Sequence, residues 1–159
     1  MLYDVIDSPI RDLLLIGDGE ALHGVWMLDR PFGGRDGWTR DAAALRPVAE
    51  QLEQYFAGER TGFDVPLAFD RGTPFQHDVW RALTEIPYGE TISYGELARR
   101  IGRPDRARAV GAANGQNPIP VIVPCHRVIG ADGSLTGFGG GLDRKRILLA
   151  LESGQLSLA

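Results

Sequence analysis

One residue of this 159-residue chain carries a thiol: Cys125, its only cysteine. A thiol attacks as its thiolate, which is populated near neutral pH only beside a base or a positive charge. His126 is adjacent. Successive residues of a regular strand point to opposite faces, so the pair needs a turn to cooperate, and Pro124 can help impose one. A third group should orient the imidazole. By spacing alone, Asp132, Asp143 and Glu152 are all open to that role. A single Cys excludes an internal disulfide and a Cys-rich zinc site. His23, His77 and His126 are too scattered to suggest a metal cluster, so no metal and no cofactor are expected. A reducing, cytoplasmic setting is the matching expectation.

A second kind of chemistry is electrostatic. The net charge of −4 is unevenly spread. Residues 1–72 carry seven Arg against thirteen Asp and Glu, a charge of −6; residues 73–159 carry ten Arg and Lys against eight Asp and Glu, a charge of +2. Arg99, Arg100, Arg103, Arg106 and Arg108 fall within ten residues, opposed only by Asp105. Such a cluster is a footprint for phosphates, with a solvated helix face as the plain alternative. The glycine-rich stretch Thr136 to Gly141 lacks the Gly-Lys-Ser/Thr ending of a P-loop and does not match the dinucleotide fingerprint. Its plain reading is a flexible turn. Beside a nucleophile, its bare backbone can also admit a flat ring and offer N–H donors.

These residues need elements to position them. Hydrophobic residues make up 43% and charged residues 24%, an ordinary globular balance. No apolar run approaches the roughly 18 residues of a membrane span, and the first residues do not read as a secretory leader. LYDVIDSP, LLLIGDG and ALHGVWML read as strands, and Pro31 to Gly37 as a loop. A helix follows from about Asp41 to Ala57, with Leu45, Val48, Ala49, Leu52, Tyr55 and Phe56 on its apolar face. FDVPLAF reads as a last strand, at an edge because of Pro66. Trp26, Phe56 and Phe69 are expected in the core. The boundary falls near Asp70 to Gly72, giving domains 1–72 and 73–159. Thr73, Pro74 and Gln76 then spell a helix start with a capping box, and Ser93 with Glu96 spells another. The helix ELARRIG, a turn at Pro104-Asp105 and the helix RARAVGAANGQN suggest a helix-turn-helix. The second helix is nearly bare: Ala107, Ala109, Gly111 and Ala112 allow close approach to a surface, its own core or another molecule's. Asn117 to Pro124 reads as a turn entering a buried strand, Val121-Ile122-Val123, which delivers Cys125. Asp143 is the expected cap of a last helix that ends near Gly154.

The run Asn117-Pro118-Ile119-Pro120-Val121-Ile122-Val123-Pro124-Cys125-His126-Arg127-Val128-Ile129-Gly130 resembles the active-site signature of the O6-alkylguanine-DNA alkyltransferases. The likeness extends through PYGETISYGELA, RARAVGAANGQNPIP and GFGGGLDRKR to Glu152. It implies an α+β protein: a small N-terminal α+β (ribonuclease H-like) domain, then a mainly helical, helix-turn-helix-containing DNA-binding and catalytic domain. It also implies irreversible, stoichiometric transfer of an alkyl group from O6-alkylguanine, and from O4-alkylthymine, in double-stranded DNA to Cys125. On the same grounds His126 takes the thiol proton through a water, Glu152 polarises His126, and Asn117 holds the turn. Tyr94 contacts the nucleotide's phosphate and donates to the departing base. Arg108 fills the stack after extrusion, and Ala107, Ala109, Gly111 and Ala112 lie against the minor groove. Pro120, Val128, Phe138 and Gly139 line the pocket. Gly139 stands where some members carry Ser, so a roomier pocket that accepts adducts larger than methyl is expected. Some members bind zinc through cysteines of the first domain, which this chain lacks. The expected partner is double-stranded DNA, with no membrane, no obligate protein partner and a monomer in solution that has room for cooperative assembly along DNA.

Three other readings compete. A damage-recognition module needs no acceptor thiol, which Cys125 argues against. A thiol hydrolase leaves the arginine-rich helix pair unexplained. A transcriptional regulator needs base-reading side chains, and Ala-Val-Gly-Ala-Ala offers few to a major groove.

Overall fold

Strands β1 (Leu2–Ile6), β2 (Leu13–Gly17) and β3 (Leu22–Met27) form an antiparallel meander, and the short β4 (Thr39–Arg40) pairs with β1 in parallel, for a sheet order β3-β2-β1-β4. The computed structural model describes residues 1–154. Its contacts divide the chain into two units, Met1–Asp70 and a second that starts at Arg71.

In the first unit β2 is buried along its whole length, so Leu13-Leu14-Leu15-Ile16 is continuously apolar rather than alternating. Helix α1 (Ala42–Phe56) is capped by Asp41, whose side chain accepts from the Ala44 N–H, and it buries Leu45, Val48, Ala49, Leu52, Tyr55 and Phe56. On the sheet face shared by Tyr3, Leu14 and Trp26, where Tyr3 stands opposite Ile16 and Leu14 opposite Trp26, aromatic rings gather. Trp26 lies 5.6 Å from Trp38, and Tyr3 lies 5.1 Å from Phe32. Trp26 and Phe69, expected in the core, are only half-buried, unlike Phe56. The expected strand FDVPLAF reduces to one parallel bridge, Leu22 to Leu67. Pro66 has no N–H to extend a ladder.

The second unit starts with α2 (Pro74–Leu83). Thr73 and Gln76 complete a full capping box, a device worth about 1 kcal/mol. Buried Trp80 donates from Nε1 to Ala113 O at 2.8 Å and so ties α2 to α4 (Ala107–Gly115). Between them, β5 (Ile92–Ser93) leads into α3 (Tyr94–Arg100). Ser93 caps α3, but the carboxylate of Glu96 turns to Arg99 and Arg100 at 2.9 and 3.3 Å. Helix α5 (Leu142–Glu152) begins from Gly141, at φ 96°, and Asp143 lies in its first turn rather than at its cap. No helix among the described residues is long and apolar enough to cross a membrane.

Val121-Ile122-Val123 is buried but is not a strand; it belongs to a series of turns ending in a 3₁₀ turn, Cys125–Arg127. Prolines at 118, 120 and 124 remove the N–H groups that a ladder needs. Val121 sits at φ 73°, where a β-branched side chain is strained by about 1–3 kcal/mol. Val121 and Val123 are both fully buried, at 1% and 0% exposure. Val121→Gly is therefore expected to cost at least about 1 kcal/mol less than Val123→Gly in denaturant unfolding, because only the first relieves strain. Equal losses would remove the strain argument.

Candidate active site

Two short devices bring the site together. The first is a parallel ladder, β5 with β6 (Val128–Ile129), in which Ile92 stands opposite Val128 and Ser93 opposite Ile129. It joins the start of α3, and hence Tyr94, to the residue after the 3₁₀ turn. The second is Asn117. Its Nδ2 donates to Val123 O at 2.7 Å and its Oδ1 accepts from Ile119 N at 3.0 Å, which closes the turn before the thiol.

Cys125 is a free thiol, 4% exposed. Burial pushes its pKa up to about 11, against the opposing pull of the Asn117 amide, the Lys145 ammonium and the backbone N–H groups of Cys125 and His126. The resting group is thus a thiol, and the donors that would stabilise the thiolate are already in place. His126 is wholly buried and its Nε2 lies 2.7 Å from Glu152 Oε2. Arg127 grips the same carboxylate with Nε at 2.8 Å and Nη2 at 3.0 Å, and Gly89 N donates to Oε1 at 3.3 Å. Each carboxylate oxygen therefore faces two donors. An acceptor-only carboxylate at this position requires the hydrogen on Nε2 of a neutral His126 and leaves Nδ1 as the basic atom. Burial holds the His126 pKa below its usual range despite the Glu152 hydrogen bond and charge; Arg127 and Lys145 push the same way as burial. Of the three carboxylates open by spacing, the fold brings Glu152 to His126; Asp132 and Asp143 are exposed.

Tyr94 donates to Thr136 O at 2.8 Å. Beneath its ring, 5.9 Å away, is the Nζ of Lys145. Lys145 is buried, donates to Val128 O at 2.6 Å and Thr136 O at 2.9 Å, and has its pKa lowered by burial, which the thiol's charge opposes. It is the chain's single lysine against sixteen arginines, the one signal in the sequence that sets it apart. Arg127 and Asn114 also belong to the site, with no such signal in the sequence.

The remaining residues lie around this centre. Pro120 and Val128 are buried, Phe138 is half-buried and Gly139 is exposed. A Cβ on Gly139 would stand 3.2 Å from Gly115 O, so the missing side chain lets the loop lie against the end of α4. On α4, Arg108 and Ala112 are exposed and Ala107, Ala109 and Gly111 are half-buried. Gly111 faces the Tyr94 ring, which a Cβ there would meet at 3.6 Å. A cavity of about 440 Å³ is bounded by Gly89, Arg146, Leu149 and Glu152 but not by Cys125.

Two histidines titrate in opposite senses. Partial burial lowers the His23 pKa, but its bonds to Asp18 at 2.7 Å and Asp70 at 2.9 Å outweigh this and raise it. A raised pKa gives stability that is full below the unfolded value of 6.5 and lost as pH rises through the folded value. For His126 the lowered pKa reverses the sign: stability is lost as pH falls below about 6.5, because only the unfolded chain takes the proton. Hydrogen exchange at pH 7.5 and 5.5, corrected for intrinsic rates, is expected to show β2–β3 gaining protection at the lower pH and residues 119–129 losing it. Movement of both in one direction would contradict the assignment.

The sequence matches the family profile described as 6-O-methylguanine DNA methyltransferase, ribonuclease-like domain, over residues 1–69, and that of the DNA binding domain over residues 74–154. It is 58% identical to a methylated-DNA–protein-cysteine methyltransferase of Mycobacterium tuberculosis over 151 residues, 94% of this chain and 91% of the relative. A namesake from Methanosarcina acetivorans is 53% identical, covering 96% and 98%. Among solved structures, Mycobacterium tuberculosis OGT in complex with DNA superposes with a TM-score of 0.91 at 57% identity, covering 98% of this chain and 94% of that one.

Proposed function

This chain belongs to the 6-O-methylguanine DNA methyltransferase family, and on that premise we propose that it repairs DNA by moving an alkyl group from O6 of guanine in duplex DNA onto Cys125, once per molecule. The observation that carries the reading is the buried lone thiol beside a histidine whose far nitrogen is 2.7 Å from a buried carboxylate. His126 takes the Sγ proton at Nδ1 through a water, and Glu152 stays ionised and stabilises the imidazolium. The Sγ electron pair forms the bond to the alkyl carbon. The carbon–O6 bond breaks, its electron pair leaves with guanine, and the departing base receives a hydrogen bond from Tyr94. Tyr94 now donates to Thr136 O, so it must exchange that acceptor for the base. The thioether has no leaving route back, which makes the reaction stoichiometric; O4-alkylthymine fits the same scheme.

A stacked guanine cannot bring O6 to a buried thiol, so the nucleotide must leave the helix at a cost of a few kcal/mol. Arg108, exposed on α4, is suited to fill the gap, and the small residues around it suit a narrow minor groove. The second unit carries this chemistry, and the protein acts as a cytoplasmic monomer. Binding is expected to be sequence-tolerant and salt-sensitive, since phosphates dominate it.

The test is intact and peptide mass after incubation with a duplex carrying one O6-methylguanine. One CH2 unit on the Cys125 peptide, stopping at one equivalent, is the expected result. Binding without any mass gain would favour a damage-recognition module instead.

A further inference from the structure

Two buried acceptors find no hydrogen-bond partner among the described residues: Asn114 Oδ1 and His126 Nδ1. Asn114 is 1% exposed and His126 0%. Buried polar atoms in native folds are almost always satisfied, by protein or by ordered water. The neighbours fix what each atom needs. Nε2 of His126 gives its hydrogen to Glu152, so Nδ1 presents a lone pair. Asn114 Nδ2 donates to Cys125 O at 3.3 Å, which sets the amide's orientation and leaves Oδ1 as an acceptor. The same bond holds the Asn114 amide against the peptide joining Cys125 to His126. Each acceptor needs a hydrogen, and one water carries two. The nearby ammonium of Lys145 already donates to Val128 O and Thr136 O.

We propose that Asn114 is a positioning residue of the acceptor reaction, holding together with His126 the single internal water that relays the Cys125 proton. The water donates one hydrogen to His126 Nδ1 and the other to Asn114 Oδ1, which turns an oxygen lone pair toward Sγ. The thiol proton passes to the water oxygen as the water's own hydrogen passes to Nδ1. Thiolate and imidazolium form and the water is restored. Asn114 sits on the inner face of α4 with Val110 and Ala113, while Arg108 is exposed on the same helix. One helix thus carries both a DNA contact and part of the proton path. The relay rests on the repair reading; the role of Asn114 goes beyond it.

The experiment has two arms. In the first, single-turnover methyl transfer from an O6-methylguanine duplex is followed across pH, in water and in deuterium oxide, for the wild type and for Asn114→Leu. The expected result is a rate lower by about ten- to a hundredfold, the usual cost of losing a group that orients a reacting one, with the pH profile displaced and the solvent isotope effect changed. A merely structural role lowers the unfolding midpoint and leaves profile and isotope effect alone, which overturns the proposal. In the second, a crystal structure of the wild type at a resolution that reveals water is expected to hold one water within about 3.2 Å of both atoms. No such water, or separate partners for the two atoms, overturns the proposal however the variant folds. Failure of the wild type to accept methyl defeats the repair reading, whereas normal transfer by Asn114→Leu defeats only the relay.

Discussion

Cys125→Ala takes up no methyl group yet keeps its hold on DNA carrying O6-methylguanine. The loss of transfer is total because this is the chain's one thiol. Cys125→Ser is expected to be equally inert despite its matching shape. An alcohol ionises far less readily than a thiol, and burial already pushes the thiol to about 11. Binding survives because it rests on other atoms, chiefly the phosphate contacts proposed for the arginines of α3, α4 and their turn. The slope of log affinity against log salt should therefore match the wild type. Transfer by either variant would show that the acceptor lies elsewhere, and a changed salt slope would show that the thiol's surroundings touch DNA directly.

Glu152→Gln is expected to cost both stability and rate. The carboxylate is the counter-charge of Arg127, which is itself buried and also donates to Ile86 O at 2.6 Å. Removing one partner of a buried pair leaves an uncompensated charge, a loss of about 3–5 kcal/mol. The amide would also turn an NH2 toward donors that now meet oxygen. Transfer should fall by about 10²–10⁴-fold, the range for a positioned base, because nothing then stabilises the His126 imidazolium. The double variant Glu152→Gln/Arg127→Gln separates the two effects. It removes the stranded charge and should recover much of the stability, while the rate stays low. Recovery of both by the double variant would mean that Glu152 matters only for folding.

What the sequence made legible was local chemistry. Thr73 with Gln76 marks a helix start because a capping box is decided within four residues. Cys125 beside His126 suggests a nucleophile because a thiol and a base are neighbours in the chain. Choosing Glu152 over Asp132 and Asp143 needed the family resemblance, because only the packing of α5 decides which carboxylate reaches the imidazole. Val121-Ile122-Val123 has the apolar, β-branched character of a buried strand; the alternate prolines around it forbid the ladder, and the pattern alone does not weigh them. The β5–β6 ladder was missed because it spans two residues a side and joins segments far apart. Asn114, Arg127 and Lys145 passed as helix or motif filler, since burial of a polar side chain is a tertiary event.

A reagent that is consumed in use must first survive in storage. Cellular oxidants and soluble electrophiles react with exposed thiolates, and the protonated, enclosed form is nearly inert to them. The seclusion of Cys125 and its upward-shifted ionisation therefore act as chemoselectivity. The sulfur stays reduced among the small molecules of the cell, and it is spent only when a substrate arrives that has been turned out of its own helix to meet it.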